Sequence, residues 1–268
     1  MSTPIRFAMF ADAVEARPAF DELASGLRDS AALALEPIFV SSYAGLAQTL
    51  EAGACDAAWS PPMVAQGLLA SATGRPIAAV GRGGRTTYYA VLLARCGAGP
   101  VGVHTFSGVH VGWVSKLSAA GYVIPSLYLR SLGLEPDELF SKQSFLGSHD
   151  RVLRALDDGE IDVGATYATV ARGGRALSLP EGTPANAKLV TAAGPIPGDV
   201  IFAAAHMSLA VREALRGAFL ALQIRDDGPL SRLMNVDRFE VPALDHFETL
   251  RRWQVRAVES EPRILAAR

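Results

Sequence analysis

No apolar run in this chain approaches the ~18 residues that a membrane-spanning helix needs, so no membrane insertion is expected. The N-terminal stretch MSTPIRFAMFADAV lacks a basic segment, an apolar run of ~7–15 residues and a small-residue cleavage site. Read as written, the chain is cytoplasmic; a periplasmic location would require a removed leader. Cysteine is scarce. Cys55 and Cys96 are the only two, and their spacing fits no metal site. Both are expected as free thiols, with a disulfide between them left open. An excess of one charge is also missing: 25 Lys and Arg against 27 Asp and Glu give a formal charge of −2. No basic block offers a nucleic-acid face, and three tryptophans are thin provision for base stacking. Catalytic signatures are absent as well: no G-x-S-x-G elbow, no H-E-x-x-H helix, no P-loop. Ser148, His149 and Asp150 are adjacent on one turn and cannot form a nucleophile–base–orienter triad. No cofactor and no metal is expected, and the reading favours a non-enzyme.

What is present is a sizeable apolar fraction. Half of the 268 residues are hydrophobic and 19% are charged, which excludes a disordered chain and provides for one large α/β domain or two small lobes. Two stretches share one grammar. Phe39–Trp59 and Phe145–Tyr167 each read as apolar run, serine cap, helix, glycine, buried strand. Ser41 or Ser42 caps a helix with Tyr43, Leu46, Ala47 and Leu50 at i, i+3, i+4, i+7; Ser148 caps its counterpart. Strands are expected at 5–10, 35–40, 54–59, 77–80, 86–95, 109–114, 161–165, 189–191 and 200–205. Helices are expected around Phe20–Leu27, from Pro62, over 122–132, after Ser208 with Val211, Leu215, Phe219 and Leu222 on one face, and from Asp245. Gly81–Arg85 is expected as a mobile, solvated loop, 97–108 and 171–187 as loops, and Gly194–Asp199 as a rigid turn. Alternating strands and helices predict parallel sheets covered on both faces. The chain is expected to form lobe one from 1–92 and 201–268 and lobe two from 93–200, the two crossing strands acting as a hinge. Ligands in such folds sit at the carboxyl ends of strands, here in a cleft between lobes.

Four segments, in this order and spacing, resemble one family. ACDAAWSPPMVAQGL is similar to a Y-D-[AV]-[AG] strand, Ser-Pro turn and helix. TTYYAVLLAR resembles a Y-x-[ST]-V crossing strand. FLGSHDRVLRALDDGEIDVGA resembles an F-x-G-S-H-[DE] turn, amphipathic helix and G-x-[VI]-D-[AV] strand, and GPIPGDVIFA an S-P-x-I-P-x-D turn. The family is the phosphate/phosphite/phosphonate-binding group of ABC-importer solute receptors. The resemblance covers about 36–206. It implies an α/β, two-lobed type II periplasmic-binding-protein-like fold, each lobe a mostly parallel sheet flanked by helices. It also implies binding of a small anionic solute and an ABC permease as partner. Where family members read S-[TS]-S-G-[YF], this chain has Ser118-Ala119-Ala120-Gly121-Tyr122. With two of three hydroxyls gone, either weak phosphate binding or a different ligand is expected. The alternative reading is a cytosolic enzyme or ligand-sensing module on the same fold.

The expected ligand-binding residues are Tyr43, Ser60, Tyr88, Ser118, Gly121, Tyr122, His149 and Asp199. Ser118, Gly121 and Tyr122 precede a helix, whose N-terminus offers N–H donors to an anion. His149 opens another helix and can donate to an anion. Tyr88 and Tyr89 alternate on a strand, so one of them faces the cleft; Tyr88 is favoured. Ser60 ends a strand, Tyr43 opens the first capped helix, and Asp199 in its Pro-rich turn can accept from ligand donors.

Overall fold

The computed structural model describes residues 3–96, 102–170, 174, 176–243, 245–248 and 250–252. In chain order the elements are β1 (Ile5–Phe10), α1 (Ala13–Ala31), β2 (Leu35–Val40), α2 (Tyr43–Glu51), β3 (Ala57–Ser60), α3 (Pro62–Ala70), β4 (Gly74–Gly81), β5 (Thr87–Arg95), β6 (His110–Trp113), α4 (Ile124–Ser131), α5 (Pro136–Leu139), β7 (Lys142–Phe145), α6 (His149–Asp157), β8 (Val163–Val170), β9 (Leu177–Ser178), β10 (Ala187–Pro197), β11 (Val200–Ala204), α7 (Leu209–Ala221), α8 (Pro229–Met234) and β12 (Arg238–Glu240). Over the described residues the chain divides into two compact units. The first is Met1–Tyr88, Thr169–Leu177 and Pro197–His246; the second is Tyr89–Ala168, Ser178–Ile196 and Phe247–Arg268.

The first unit is built on a sheet of order β12-β4-β11-β3-β1-β2. β1 pairs in parallel with β2 and β3, while β11 runs antiparallel to both β3 and β4, and β12 antiparallel to β4. Four of the six strands run in one direction, in keeping with the mostly parallel sheet expected, and β11 and β12 run against them. β11 enters the sheet between β3 and β4. Pro76 of β4 cannot donate to the ladder, and the register with β11 shifts there, between Ile201 and Phe202. The core is aromatic. Phe7 is fully buried on β1, its ring centroid 6.4 Å from Phe20 of α1 and 6.0 Å from Phe219 of α7. Phe219 in turn meets Phe239 of β12 at 4.9 Å, and Phe239 meets Trp59 of β3 at 5.8 Å.

In the second unit the strand order is β10-β5-β8-β6-β7, with β9 on the flank of β8. β6 is parallel to β7 and β8, and β5 antiparallel to β8. Trp113 is fully buried, edge-on to Tyr122 and Phe140, and its indole N–H donates to Gln143 Oε1 at 2.8 Å.

Local chemistry explains most boundaries. α2 and α6 start where Ser42 and Ser148 accept from Gly45 N–H and Arg151 N–H, and α3 starts at Pro62. α1 begins earlier than the apolar spacing indicates. Asp12 accepts from Val14 and Glu15 N–H at 2.8 and 3.1 Å and caps it, and Pro18 is carried inside the helix. Several expectations need correction. Gly81–Arg85 is a tight turn in which Arg82 and Arg85 exchange two backbone hydrogen bonds of 2.8 and 3.1 Å. Gly83 and Gly84 have φ of 59° and 79°, the double positive φ of a type I′ turn, which glycine alone adopts freely. The stretch read as a rigid turn is largely strand: β10 runs through the cis Gly194–Pro195 bond to Pro197. β8 extends five residues beyond Ala165, to Val170. Val211 on α7 is 40% exposed, and Leu215, Ala218 and Phe219 form the buried face. Within the expected loops, 97–101, 171–173 and 175 lie outside the described residues; Val103–Thr105 is a single 3₁₀ turn. The helix expected from Asp245 is described only to 252, with Leu250 buried.

Candidate functional site

In the first unit, β1, β3 and β4 share one direction, so their carboxyl ends share one edge of the sheet, the edge where α/β folds place ligands. Asp199, just before β11, lies at that edge. Its Oδ2 accepts from Trp59 Nε1 at 3.1 Å and from Arg82 Nη2 at 2.7 Å. The Arg82 and Asp199 side chains are only 19% and 20% exposed, so this is a partly desolvated ion pair. Arg82 also donates through Nε to the Met234 carbonyl at 3.4 Å. The solvated role expected of Arg82 is thus replaced by an anchored one. Tyr43 and Tyr88 belong to the same group. Burial pushes both phenols well above the ordinary tyrosine value; the Asp199 carboxylate adds to this and Arg82 opposes it. Tyr43 stacks edge-on against Phe10 at 4.7 Å. Ser60 is fully buried, its hydroxyl 3.4 Å from the Pro61 carbonyl. His246 donates through Nε2–H to the Gly198 carbonyl at 3.2 Å, and burial lowers its pKa. The structure therefore brings together Tyr43, Ser60, Tyr88 and Asp199, and adds Trp59, Arg82 and His246.

The second unit has its own edge at the carboxyl ends of β6, β7 and β8. Two serine-capped turns stand there. Ser118 is buried, and its Oγ accepts from Gly121 N–H at 3.0 Å. The next five residues, Ala119–Val123, form a π-helical turn that runs into α4. With that lone pair engaged, the Ser118 O–H remains the donating end of the hydroxyl. Gly121 is required by packing: a Cβ there would overlap the Val114 side chain. Its N–H goes to Ser118, and its carbonyl accepts from Val114 N–H at 3.0 Å. Tyr122 packs edge-on against Trp113 at 5.5 Å and Phe145 at 5.1 Å. The hydroxyl of Ser115, at the end of β6, is buried without a hydrogen-bond partner among the described residues.

His149 opens α6. Its Nδ1 lies 3.0 Å from Oγ1 of Thr166, a fully buried residue on β8, and its ring stands edge-on to Tyr167 at 5.0 Å. Thr166 fixes one ring nitrogen and thereby the ring's orientation. Ser148 serves the Arg151 N–H instead, so Ser148 and the adjacent His149 have separate partners. Thr166 and Tyr167 carry no motif signal beyond the alternation of a strand; Arg82 is signalled only by the Gly-Gly that follows it.

The opposite, amino-terminal edge of the first sheet carries a second polar cluster. Asp56 Oδ1 and Oδ2 accept from the Arg6 guanidinium at 2.7 and 3.1 Å, and His206 Nε2 lies 3.0 Å from Oδ1. Burial raises the Asp56 pKa, but the hydrogen bonds from Arg6 and His206 outweigh it and hold the carboxyl at about 2. That value is below the ordinary ~3.9, so the pair stabilises the fold above that range and the benefit fades as pH falls towards 2. Replacing Asp56 with Asn is expected to cost about 1 kcal/mol at pH 7, after allowance for solvent screening. The difference from the parent should vanish near pH 2, read by urea melts at the two pH values. Beside it, Cys55 is fully buried. Burial pushes its thiol up to about 12, with Asp56 adding and Arg6 opposing. Cys96 is exposed, and neither forms a disulfide. A disulfide-exchange reagent at pH 8 should therefore titrate one thiol in the folded protein and two in denaturant; two fast thiols in the native state would contradict this. No group of three or more metal-ligating side chains occurs among the described residues.

Residues 6–247 match the family described as ABC transporter, phosphonate, periplasmic substrate-binding protein. Among curated proteins none matches. Solved structures share the fold at low identity. A binding protein component of an ABC phosphonate transporter from Pseudomonas aeruginosa aligns over 99% of this chain and 91% of its own, at 17% identity and a TM-score of 0.80. PhnD1 from Prochlorococcus marinus, in complex with methylphosphonate, aligns over 96% and 98%, at 16% identity and 0.76. A Xanthomonas citri protein bound to ATP aligns over 97% and 98%, at 18% identity and 0.73. No helix among the described residues is long and apolar enough to cross a membrane.

Proposed function

The chain belongs to the phosphonate periplasmic substrate-binding family of ABC transporters, and from that membership we propose that it binds a small phosphorus oxyanion and delivers it to an ABC permease. The match over residues 6–247 carries this reading. In support, the second unit's sheet edge has the chemistry an oxyanion needs. Ser118 holds a donating hydroxyl beside a helical turn, and His149 is oriented by Thr166 at the start of α6. A helix N-terminus favours an anion by electrostatics. Ala119 and Ala120 remove hydroxyl donors from the same turn, so affinity for inorganic phosphate is expected to be weak. The residues carried forward as ligand contacts are Tyr43, Ser60, Tyr88, Ser118, Gly121, Tyr122, His149 and Asp199. Family membership also supports a periplasmic site of action after export. Fractionation of cells expressing the native gene tests that point.

Thermal-shift measurements with methylphosphonate, phosphite, phosphate and ATP, with an alkylsulfonate as control, test the ligand class. Stabilisation by methylphosphonate or phosphite at concentrations well above Kd is expected. Turnover of any of these compounds would favour an enzyme on this fold. No stabilisation by any phosphorus compound would remove the phosphorus part of the reading.

A further inference from the structure

We propose that Arg82 makes the carboxyl edge of the first unit's sheet selective for an uncharged ligand group, by holding Asp199 in an ion pair and withholding its carboxylate from ammonium groups. The residues standing together there are Tyr43, Tyr88, Trp59 and Asp199. Aromatic faces beside a carboxylate are the usual makings of a cation site. Here the carboxylate is already paired: its Oδ2 takes both the Arg82 guanidinium, at 2.7 Å, and the Trp59 indole N–H, at 3.1 Å, so the charge an ammonium would seek is offset while Oδ1 can still accept from a neutral donor.

Arg82 is not placed to yield. Its backbone forms both hydrogen bonds of the turn with Arg85. The turn is pinned by Gly84 N–H donating to Asp237 Oδ2 at 2.9 Å, and the guanidinium has a second acceptor in the Met234 carbonyl. A ligand ammonium drawing Asp199 away would cost a four-fifths-buried guanidinium its carboxylate, the costly outcome for a desolvated pair. The tyrosines and the histidine named at this edge favour their neutral forms. Burial keeps the Tyr43 and Tyr88 phenols protonated and disfavours the cationic form of His246. Arginine and aspartate cancel. A group reaching this edge meets aromatic faces and phenol hydroxyls, which suit an alkyl or hydroxyalkyl substituent.

This inference rests on the phosphonate reading only for the choice of ligands. The first measurement is calorimetric titration of the full chain with ethylphosphonate and with 2-aminoethylphosphonate, which differ chiefly by the ammonium group. Ethylphosphonate is expected to bind at least tenfold more tightly, and Arg82→Gln, which frees Asp199, should shrink that ratio at least tenfold. Equal or tighter binding of the amine by the parent protein would overturn the inference, as would an unchanged ratio in the variant. The parent ratio needs no variant and so survives a folding defect in Arg82→Gln. The second measurement is free of phosphorus: ethylammonium at millimolar concentration, followed on the Trp59 indole N–H resonance. No shift is expected in the parent and a saturable shift in Arg82→Gln; a saturable shift in the parent would overturn the inference. If neither phosphonate binds while the ethylammonium results hold, the phosphonate reading fails and the selectivity of this edge stands.

Discussion

Replacing His149 with Ala should lower affinity for methylphosphonate by about 10- to 150-fold. The ring is oriented by the Thr166 hydroxyl at 3.0 Å and by the edge of Tyr167 at 5.0 Å. A hydrogen bond from an oriented donor to an anion contributes about 1.5–3 kcal/mol, which converts to that range of Kd. The side chain is only half-buried and sits at the first position of α6, so the fold should survive its removal, checked by circular dichroism. Thr166→Val gives a second reading. It leaves the imidazole in place but removes the hydroxyl that orients it, and it should produce a smaller loss than His149→Ala. Titration calorimetry measures both. An affinity within twofold of the parent for His149→Ala would remove His149 from the ligand contacts.

The second large effect concerns stability. Phe7→Ala should destabilise the protein by about 3–5 kcal/mol, the usual cost of deleting a buried aromatic ring. Phe7 is fully buried between Phe20 of α1 and Phe219 of α7, so its loss opens a cavity that three elements would have to collapse to fill. Phe7→Leu keeps most of the volume and should cost less than half as much. Urea denaturation followed by tryptophan fluorescence reads both; a loss below 1 kcal/mol for Phe7→Ala would mean that this aromatic array does not hold the first sheet to its helices.

Where local chemistry decides structure, the sequence is legible. Ser42 and Ser148 cap helices with the expected register, Pro62 starts α3, and Gly53 and Gly159, which follow α2 and α6, have positive φ. Elements formed by tertiary packing are harder to read. α8 is six residues long and β12 three, too short for a periodic signal; β12 is a strand because Phe239 packs against Trp59 and Phe219. β7 is KQSF, polar enough to pass for a loop. β11's antiparallel entry into the first sheet is a matter of chain routing that no local pattern reports. The same division holds for the candidate site. Tyr43, Ser60, Tyr88 and Asp199 are visible because each lies at or beside the end of an element with its own signal. The partner of Asp199 is not: Arg82 is separated from it by 117 residues, and its flanking glycines read as solvent exposure until the turn they make is seen. Thr166 is silent for a like reason, since a buried threonine on a strand has the same sequence appearance whether or not a histidine 17 residues earlier uses its hydroxyl.

Calorimetric titration of the purified protein with methylphosphonate tests the central claim most directly. A saturable one-site isotherm is expected, lost or weakened at least tenfold in His149→Ala, with inorganic phosphate binding more weakly than methylphosphonate. A flat titration with methylphosphonate, phosphite and phosphate alike, from protein shown to be folded and free of carried-over ligand by native mass spectrometry, would contradict it.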